Sequence, residues 1–197
     1  MFVSILDYGV GNLHSLAKGL GAAGAEVRVT RDPLEAIQAG ALVLPGVGAF
    51  EPAAEGFARE REAMCGAIRA GLPTLGICLG MQLLFDGSDE GPGQGLGVLA
   101  GHVTRLAARG VPEIGWNAVD GDDPALAASG LREAYYAHSY ACRPADARHV
   151  TAWTTHEGDR FPAIVRQGRT MGVQFHPEKS SSPGVALLRA FLQEAAA

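Results

Sequence analysis

Thr74-Leu75-Gly76-Ile77-Cys78-Leu79-Gly80-Met81-Gln82-Leu83-Leu84-Phe85 decides the fold. Residues 74–77 form a short apolar run that reads as a buried strand, and residues 81–85 read as the start of a helix. Between them lies Gly76-Ile77-Cys78-Leu79-Gly80, a G-x-nucleophile-x-G pattern in its required setting of strand, sharp turn and helix. The glycines let the chain turn tightly and keep side chains clear, so Cys78 stands at the C-terminal edge of a sheet, where open α/β folds bind ligands. A helix N-terminus beside the sulfur favours the thiolate, and the Leu79 N–H, one residue past the thiol, is a natural oxyanion donor.

Upstream, the chain alternates strands and helices. Residues 2–6 are apolar, and Leu13, Leu16, Ala17 and Leu20 then recur at helical spacing. Residues 26–30 alternate as a strand, Asp32-Pro33 opens a short helix as cap and first residue, and residues 41–44 are a third strand. Phe57, Met64, Cys65 and Ile68 share one helical face, and Gly71-Leu72-Pro73 ends that helix before the fourth strand. This order predicts an α/β fold with a parallel sheet covered by helices on both faces. After about residue 87 the texture turns to short β-branched and aromatic runs over 102–106, 116–119, 134–140, 150–154, 163–165 and 171–175. A helix begins near Pro183, with Val185, Leu188 and Leu192 inward. No linker or repeat divides residues 1–197, so a single domain is expected.

The 197 residues are 47% hydrophobic, enough for one sizeable core, and the net charge of -5 with dispersed Lys and Arg gives no footprint for nucleic acid or an anionic membrane. The N-terminus has no basic leader, and the longest uncharged stretch, residues 71–85, is too short to span a bilayer, so a soluble, cytoplasmic protein is expected. Three cysteines without a C-x-x-C pair suggest neither a disulfide framework nor a metal site. Cys65 and Cys142 read as packed core thiols.

Two further segments converge on Cys78. In Gly172-Val173-Gln174-Phe175-His176-Pro177-Glu178 a strand delivers a histidine and, two residues on, a glutamate. Pro177 holds His176 in the extended region, where residues at i and i+2 face one side, so Glu178 can orient the imidazole while its other nitrogen faces the thiol. Pro45-Gly46-Val47-Gly48-Ala49-Phe50 ends the third strand on the same sheet edge, and an N–H near Val47 or Gly48 is a candidate second oxyanion donor. A nucleophilic cysteine with a His–Glu pair serves glutaminases and cysteine peptidases alike.

The triad of Cys78, His176 and Glu178 resembles that of class I glutamine amidotransferases. The segments 7–12, 45–50, 76–84, Gly115-Trp116-Asn117 and 174–180 narrow the likeness to the glutaminase subunits of imidazole glycerol phosphate synthase, over residues 5–180. The resemblance implies a flavodoxin-like three-layer fold with an additional β-rich region in the C-terminal half, no cofactor and no metal. It implies glutamine hydrolysis through a γ-glutamyl thioester, with ammonia passed to a (β/α)₈-barrel cyclase subunit that forms imidazole glycerol phosphate and aminoimidazole carboxamide ribotide for histidine synthesis. By position it assigns Gln82, Glu90, His138, Ser139 and Tyr140 to glutamine, and Asn12, Ser15, Lys18, Pro112, Trp116, Tyr135 and Lys179 to the cyclase interface of a heterodimer. For Trp116, core packing is the competing reading. Glu113 departs from the likeness, since relatives commonly carry histidine there. Glutaminases of guanylate, anthranilate or pyridoxal phosphate synthases, and a triad peptidase, are the alternatives; a non-enzymatic module would not need a complete triad.

Overall fold

The computed structural model describes residues 1–9, 13–46 and 48–197. In chain order the elements are β1 (Phe2–Leu6), α1 (Leu13–Ala23), β2 (Glu26–Thr30), α2 (Pro33–Ala36), β3 (Ala41–Leu44), α3 (Phe50–Glu55), α4 (Arg61–Arg69), β4 (Thr74–Ile77), α5 (Leu79–Gln82) and β5 (Gly87–Ser88). The second half contributes β6 (Gly101–Arg105), β7 (Glu113–Ala118), β8 (Asp120–Gly121), α6 (Pro124–Ser129), β9 (Glu133–His138), β10 (Tyr140–Pro144), β11 (Val150–His156), β12 (Asp159–Gln167), β13 (Thr170–Val173) and α7 (Ser181–Ala196).

Eight strands form the central sheet in the order β2-β1-β3-β4-β13-β12-β11-β8. The five from β2 to β13 run parallel and the remaining three antiparallel, so the sheet is mixed, with its parallel half built from the alternating first part of the chain. Side chains alternate across it as strand geometry requires. Val3, Ile5, Val43, Leu75 and Ile77 face Leu16 and Leu20 of α1 and Leu187, Leu188 and Phe191 of α7. Leu42 and Leu44 face Phe50, Phe57, Met64 and Ile68 on the other side. Two smaller sheets, β10-β6-β5 and β7-β9, make up the β-rich addition.

Several elements differ from the sequence reading. Of the helical face expected over residues 57–68, Met64, Cys65 and Ile68 lie on α4 but Phe57 lies in the turn between α3 and α4, because the chain turns over Tyr8 at Gly56, where a Cβ would lie 2.8 Å from the Tyr8 Cβ. The run 134–140 is broken at Ser139, since β9 pairs with β7 while β10 pairs with β6 in a different sheet. Helix α6 falls in a stretch without helical periodicity. Asp123 caps it through Oδ1 to Ala125 N at 2.9 Å, Pro124 is its first residue, and Gly130 closes it at φ +67°. This is the same device that Asp32-Pro33 uses for α2, where Asp32 Oδ1 accepts from Leu34 N at 2.9 Å.

The topology places one sheet edge under chemical load. Strands β4 and β13 are adjacent and parallel, in register Val173↔Ile77, so the residues that follow them emerge side by side. Strand β3, on the other flank of β4, brings the Pro45 turn to the same edge.

Candidate active site

Cys78 sits at φ +48° and ψ −105°, a left-handed conformation rare for a residue with a side chain. Such strain persists only where the surroundings enforce it. Two glycines do so here. A Cβ on Gly80 would lie 2.0 Å from the Leu44 carbonyl oxygen, and one on Gly76 2.6 Å from the Gly80 carbonyl oxygen. The elbow is pinned by Cys78 N donating to Val173 O at 2.7 Å and by Gln82 N donating to Cys78 O at 3.1 Å. Helix α5 is a single turn, starting at Leu79, earlier and shorter than the sequence suggested. Its dipole is correspondingly small, and the ionisation of the site rests on the neighbouring histidine instead.

His176 follows β13 in an extended conformation, φ −101° and ψ +95°. Its N–H donates to Tyr135 O at 2.8 Å, and its carbonyl accepts from Ser180 Oγ at 2.7 Å. The extension stops there, because Pro177–Lys179 is a single 3-10 turn with the proline leading it. The turn still returns the Glu178 carboxylate to the ring, with Oε1 2.9 Å from His176 Nδ1. The other nitrogen, Nε2, is buried with no hydrogen-bond partner among the described residues, and so is Glu178 Oε2. Burial alone would lower the imidazole pKa, but the charge of Cys78 and the charge and hydrogen bond of Glu178 outweigh it and push it up to about 10.

The third segment also converges on Cys78. Gly46 packs against the elbow so closely that a Cβ would lie 2.7 Å from Ile77 O and 3.1 Å from the Cys78 Cβ. Tyr8, fully buried beside this turn, donates its hydroxyl to Pro45 O. Gly48 adopts φ +128°, which favours glycine. Val47 lies outside the described residues. Leu79, as the first residue of α5, carries one of the N–H groups that a helix leaves without an internal acceptor.

The expected glutamine-binding residues gather on the same edge, with their polar groups partly engaged. Gln82 donates Nε2 to Tyr140 O at 3.0 Å and approaches Gln174 Oε1 at 3.5 Å. Glu90 accepts the Phe50 N–H on Oε2 at 2.9 Å, leaving Oε1 for a ligand. His138 has both ring nitrogens taken, so its imidazole holds other protein groups. Ser139 and Tyr140 form the corner between β9 and β10, half-buried, with Leu106 N donating to Ser139 O at 2.9 Å.

Gln174 was not singled out by sequence, yet its Nε2 donates to Cys78 Sγ at 3.6 Å. The signal was present, since Gln174, two residues before His176 on a strand, faces the same side. Among the expected interface residues, Trp116 is 53% exposed, which removes the core-packing reading, and Ile114 beside it is 67% exposed. Trp116 meets Tyr135 edge-to-face at 6.3 Å, and Lys179 Nζ lies 5.7 Å from the Tyr135 ring. Lys18 and Pro112 are exposed and Ser15 is half-buried; Asn12 lies outside the described residues. All three cysteines are unpaired and buried, and burial pushes the Cys142 thiol well up.

The profile of the family described as glutamine amidotransferase class-I matches residues 4–195. The chain belongs to the class-I glutamine amidotransferases. Within this family, the amidotransferase is 45% identical to the imidazole glycerol phosphate synthase subunit HisH of Deinococcus radiodurans, over 98% of this chain and 94% of that one. It is 43% identical to the subunit of the same name from Gloeobacter violaceus, over 98% and 90%. It is also 43% identical to the chloroplastic imidazole glycerol phosphate synthase hisHF of Arabidopsis thaliana, over 96% of this chain but only 34% of that one. A crystal structure of a glutamine amidotransferase superposes with a TM-score of 0.77 at 25% identity, covering 99% of both chains. Among the described residues, no helix is long and apolar enough to cross a membrane.

Proposed function

We propose that this amidotransferase hydrolyses L-glutamine with Cys78 as nucleophile, His176 as acid and base, and Glu178 as the group that orients His176. It serves as the glutamine amidotransferase subunit of imidazole glycerol phosphate synthase, in histidine biosynthesis. The observation that carries the residue roles is the strained Cys78 elbow on β4 beside the buried His176–Glu178 pair from β13.

The chemistry follows from this arrangement. The thiolate attacks the side-chain carboxamide carbon, and the tetrahedral oxyanion is met by the Leu79 N–H and an N–H of the Val47–Gly48 stretch, each worth roughly 3 kcal/mol in the transition state. The imidazolium gives its Nε2 proton to the departing nitrogen, ammonia leaves, and a γ-glutamyl thioester remains. His176, now neutral, takes a proton from water, whose oxygen attacks the thioester; glutamate leaves and the thiolate–imidazolium pair is restored. Glu90 Oε1 suits the α-amino group of glutamine, and the His138–Tyr140 corner with Gln82 suits its α-carboxylate. No metal or cofactor enters these steps.

Ammonia passes to a cyclase subunit docked on the face that carries Trp116, Tyr135 and Lys179, and Ser15, Lys18, Pro112 and Asn12 are the further residues proposed to meet it. The exposed Ile114 and Trp116 supply the apolar centre such a surface needs. The names of the relatives as subunits support a partner, and so does the additional length of the Arabidopsis chain. Residues 1–197 act as one unit in the cytoplasm, where reducing conditions keep Cys78 free. Replacing Cys78 by alanine is expected to abolish ammonia release from glutamine while the cyclase complex still turns over with added ammonium salt. Glutaminase turnover retained in that variant would overturn the assignment.

A further inference from the structure

We infer that Glu113 is a positioning residue for the glutamine pocket, acting through His138 on the corner between β9 and β10. Glu113 opens β7, the strand whose second and fourth residues, Ile114 and Trp116, are exposed, yet its own side chain is buried. A buried carboxylate is costly unless it is bonded, and this one gathers partners from three strands. His138 Nε2 of β9 lies 2.9 Å from Oε2, Asn117 Nδ2 of β7 lies 2.7 Å from Oε1, and His156 Nδ1 of β11 approaches Oε1 at 3.6 Å. The phenol of Tyr136 is the remaining titratable group near the carboxylate. Burial would raise the Glu113 carboxyl, but the hydrogen bonds of His138 and Asn117 and the charges of both histidines outweigh it and keep it ionised.

The geometry makes His138 a strut. Its Nδ1 faces Tyr140 O at 2.8 Å, and a carbonyl oxygen can only accept, so Nδ1 donates. Its Nε2 lies 2.9 Å from the Glu113 carboxylate. The ring is therefore tied at both ends, and it is wedged against Phe161 and Tyr136 with centroids 5.1 and 5.6 Å away. The corner it holds needs such a tie, because Ser139 lies where the chain passes from one small sheet to another. The line continues inward, for Tyr140 O also accepts from Gln82, Gln82 approaches Gln174, and Gln174 donates to the Cys78 sulfur. Glu113 thus fixes from outside the pocket the backbone that glutamine meets inside it.

The inference rests on the glutaminase reading, and its test separates the two. Glu113→Ala in the full chain is expected to raise KM for glutamine about ten-fold, with kcat within about three-fold of wild type. Alkylation of Cys78 by iodoacetamide, a small neutral reagent that does not need the corner, should be unchanged. Glu113→Gln can donate to His138 Nε2 and accept from Asn117, so it should keep KM within about three-fold. If Glu113→Ala does not fold, Glu113→Asp keeps the charge but draws the carboxylate back from His138 by one carbon, and the same rise in KM alone is expected. An unchanged KM in the foldable variant, a parallel loss of kcat and alkylation rate, or a Glu113→Gln variant as impaired as Glu113→Ala overturns the inference. A wild-type chain that releases no ammonia would instead sink the glutaminase reading and this inference with it.

Discussion

Glu178→Gln exchanges one atom in the site and tests what the carboxylate does. In the native chain Oε1 takes the Nδ1 proton of His176 at 2.9 Å, while Oε2 is buried with no partner among the described residues. The variant amide has two placements. If its oxygen faces Nδ1, its NH₂ occupies the buried place of Oε2, where no acceptor waits. If its nitrogen faces Nδ1, that atom must present a lone pair, which puts the ring proton on Nε2 and leaves no base toward the thiol. A charge-assisted hydrogen bond of this kind is worth about 1.5–3 kcal/mol, which converts to roughly a 10- to 150-fold loss in kcat/KM. The loss should fall on kcat, because Glu178 touches His176 and not the substrate, and KM should stay within about three-fold. The imidazole would also come down from about 10, because the charge and hydrogen bond of Glu178 help to raise it, and iodoacetamide alkylation of Cys78 should slow in step. A coupled assay of glutamate release, with circular dichroism to verify folding, provides the reading. A folded Glu178→Gln variant with kcat/KM within three-fold of wild type would refute the assignment of Glu178 as the orienting group.

The pH dependence of Cys78 alkylation should show a step near pH 10, where His176 loses its proton; His176→Gln should remove it. By the same shift, raised from 6.5, the contribution of His176 to stability is fully present below about pH 6.5 and is lost as pH rises through about 10. Asp123 behaves oppositely. Burial would raise its carboxyl, but Arg166 at 2.7 Å and Thr151 hold it below the usual range, so its contribution is present above about pH 3.9 and is lost as pH falls through the lower folded value. Asp123→Ala removes the cap of α6 and one of the two carboxylates on the half-buried Arg166, which keeps Glu194, and should cost about 3 kcal/mol in urea unfolding at pH 7. Gly80→Ala drives a Cβ into the Leu44 carbonyl and should abolish activity or soluble expression, whereas Gly66→Ala in α4, with open space around it, should stabilise the chain by up to about 1 kcal/mol.

The parallel half of the fold was legible because its strands are short, wholly apolar and separated by helical spacing, so each element announces its period. The meeting of Cys78, His176 and Glu178 at one sheet edge was legible for a related reason. A strand carries its residues to a known edge, and Gly76, Gly80 and Pro177 restrict the backbone on either side of the reactive groups. What escaped depends on contacts distant in sequence. The break at Ser139 follows from two sheets meeting, and α3 ends because Tyr8 occupies the space beside Gly56. Helix α6 was missed although its Asp-Pro start and Gly stop were visible, because its alanine-rich body has no clear amphipathic face. Trp116 could be placed inside or outside only once β7 had a partner on one side and none on the other. Glu113 looks like a substitution on a docking strand until His138, 25 residues away, appears against its carboxylate.

The central claim is that Cys78 itself carries the glutamyl group. The full chain, mixed with glutamine and quenched in acid within a turnover, should yield on proteolysis and mass spectrometry a single peptide heavier by one glutamyl group, with the label on Cys78 and lost on brief treatment with hydroxylamine. A glutamyl group found on Cys65 or Cys142, or ammonia release at the wild-type rate by a chain in which Cys78 carries no adduct, would contradict the account.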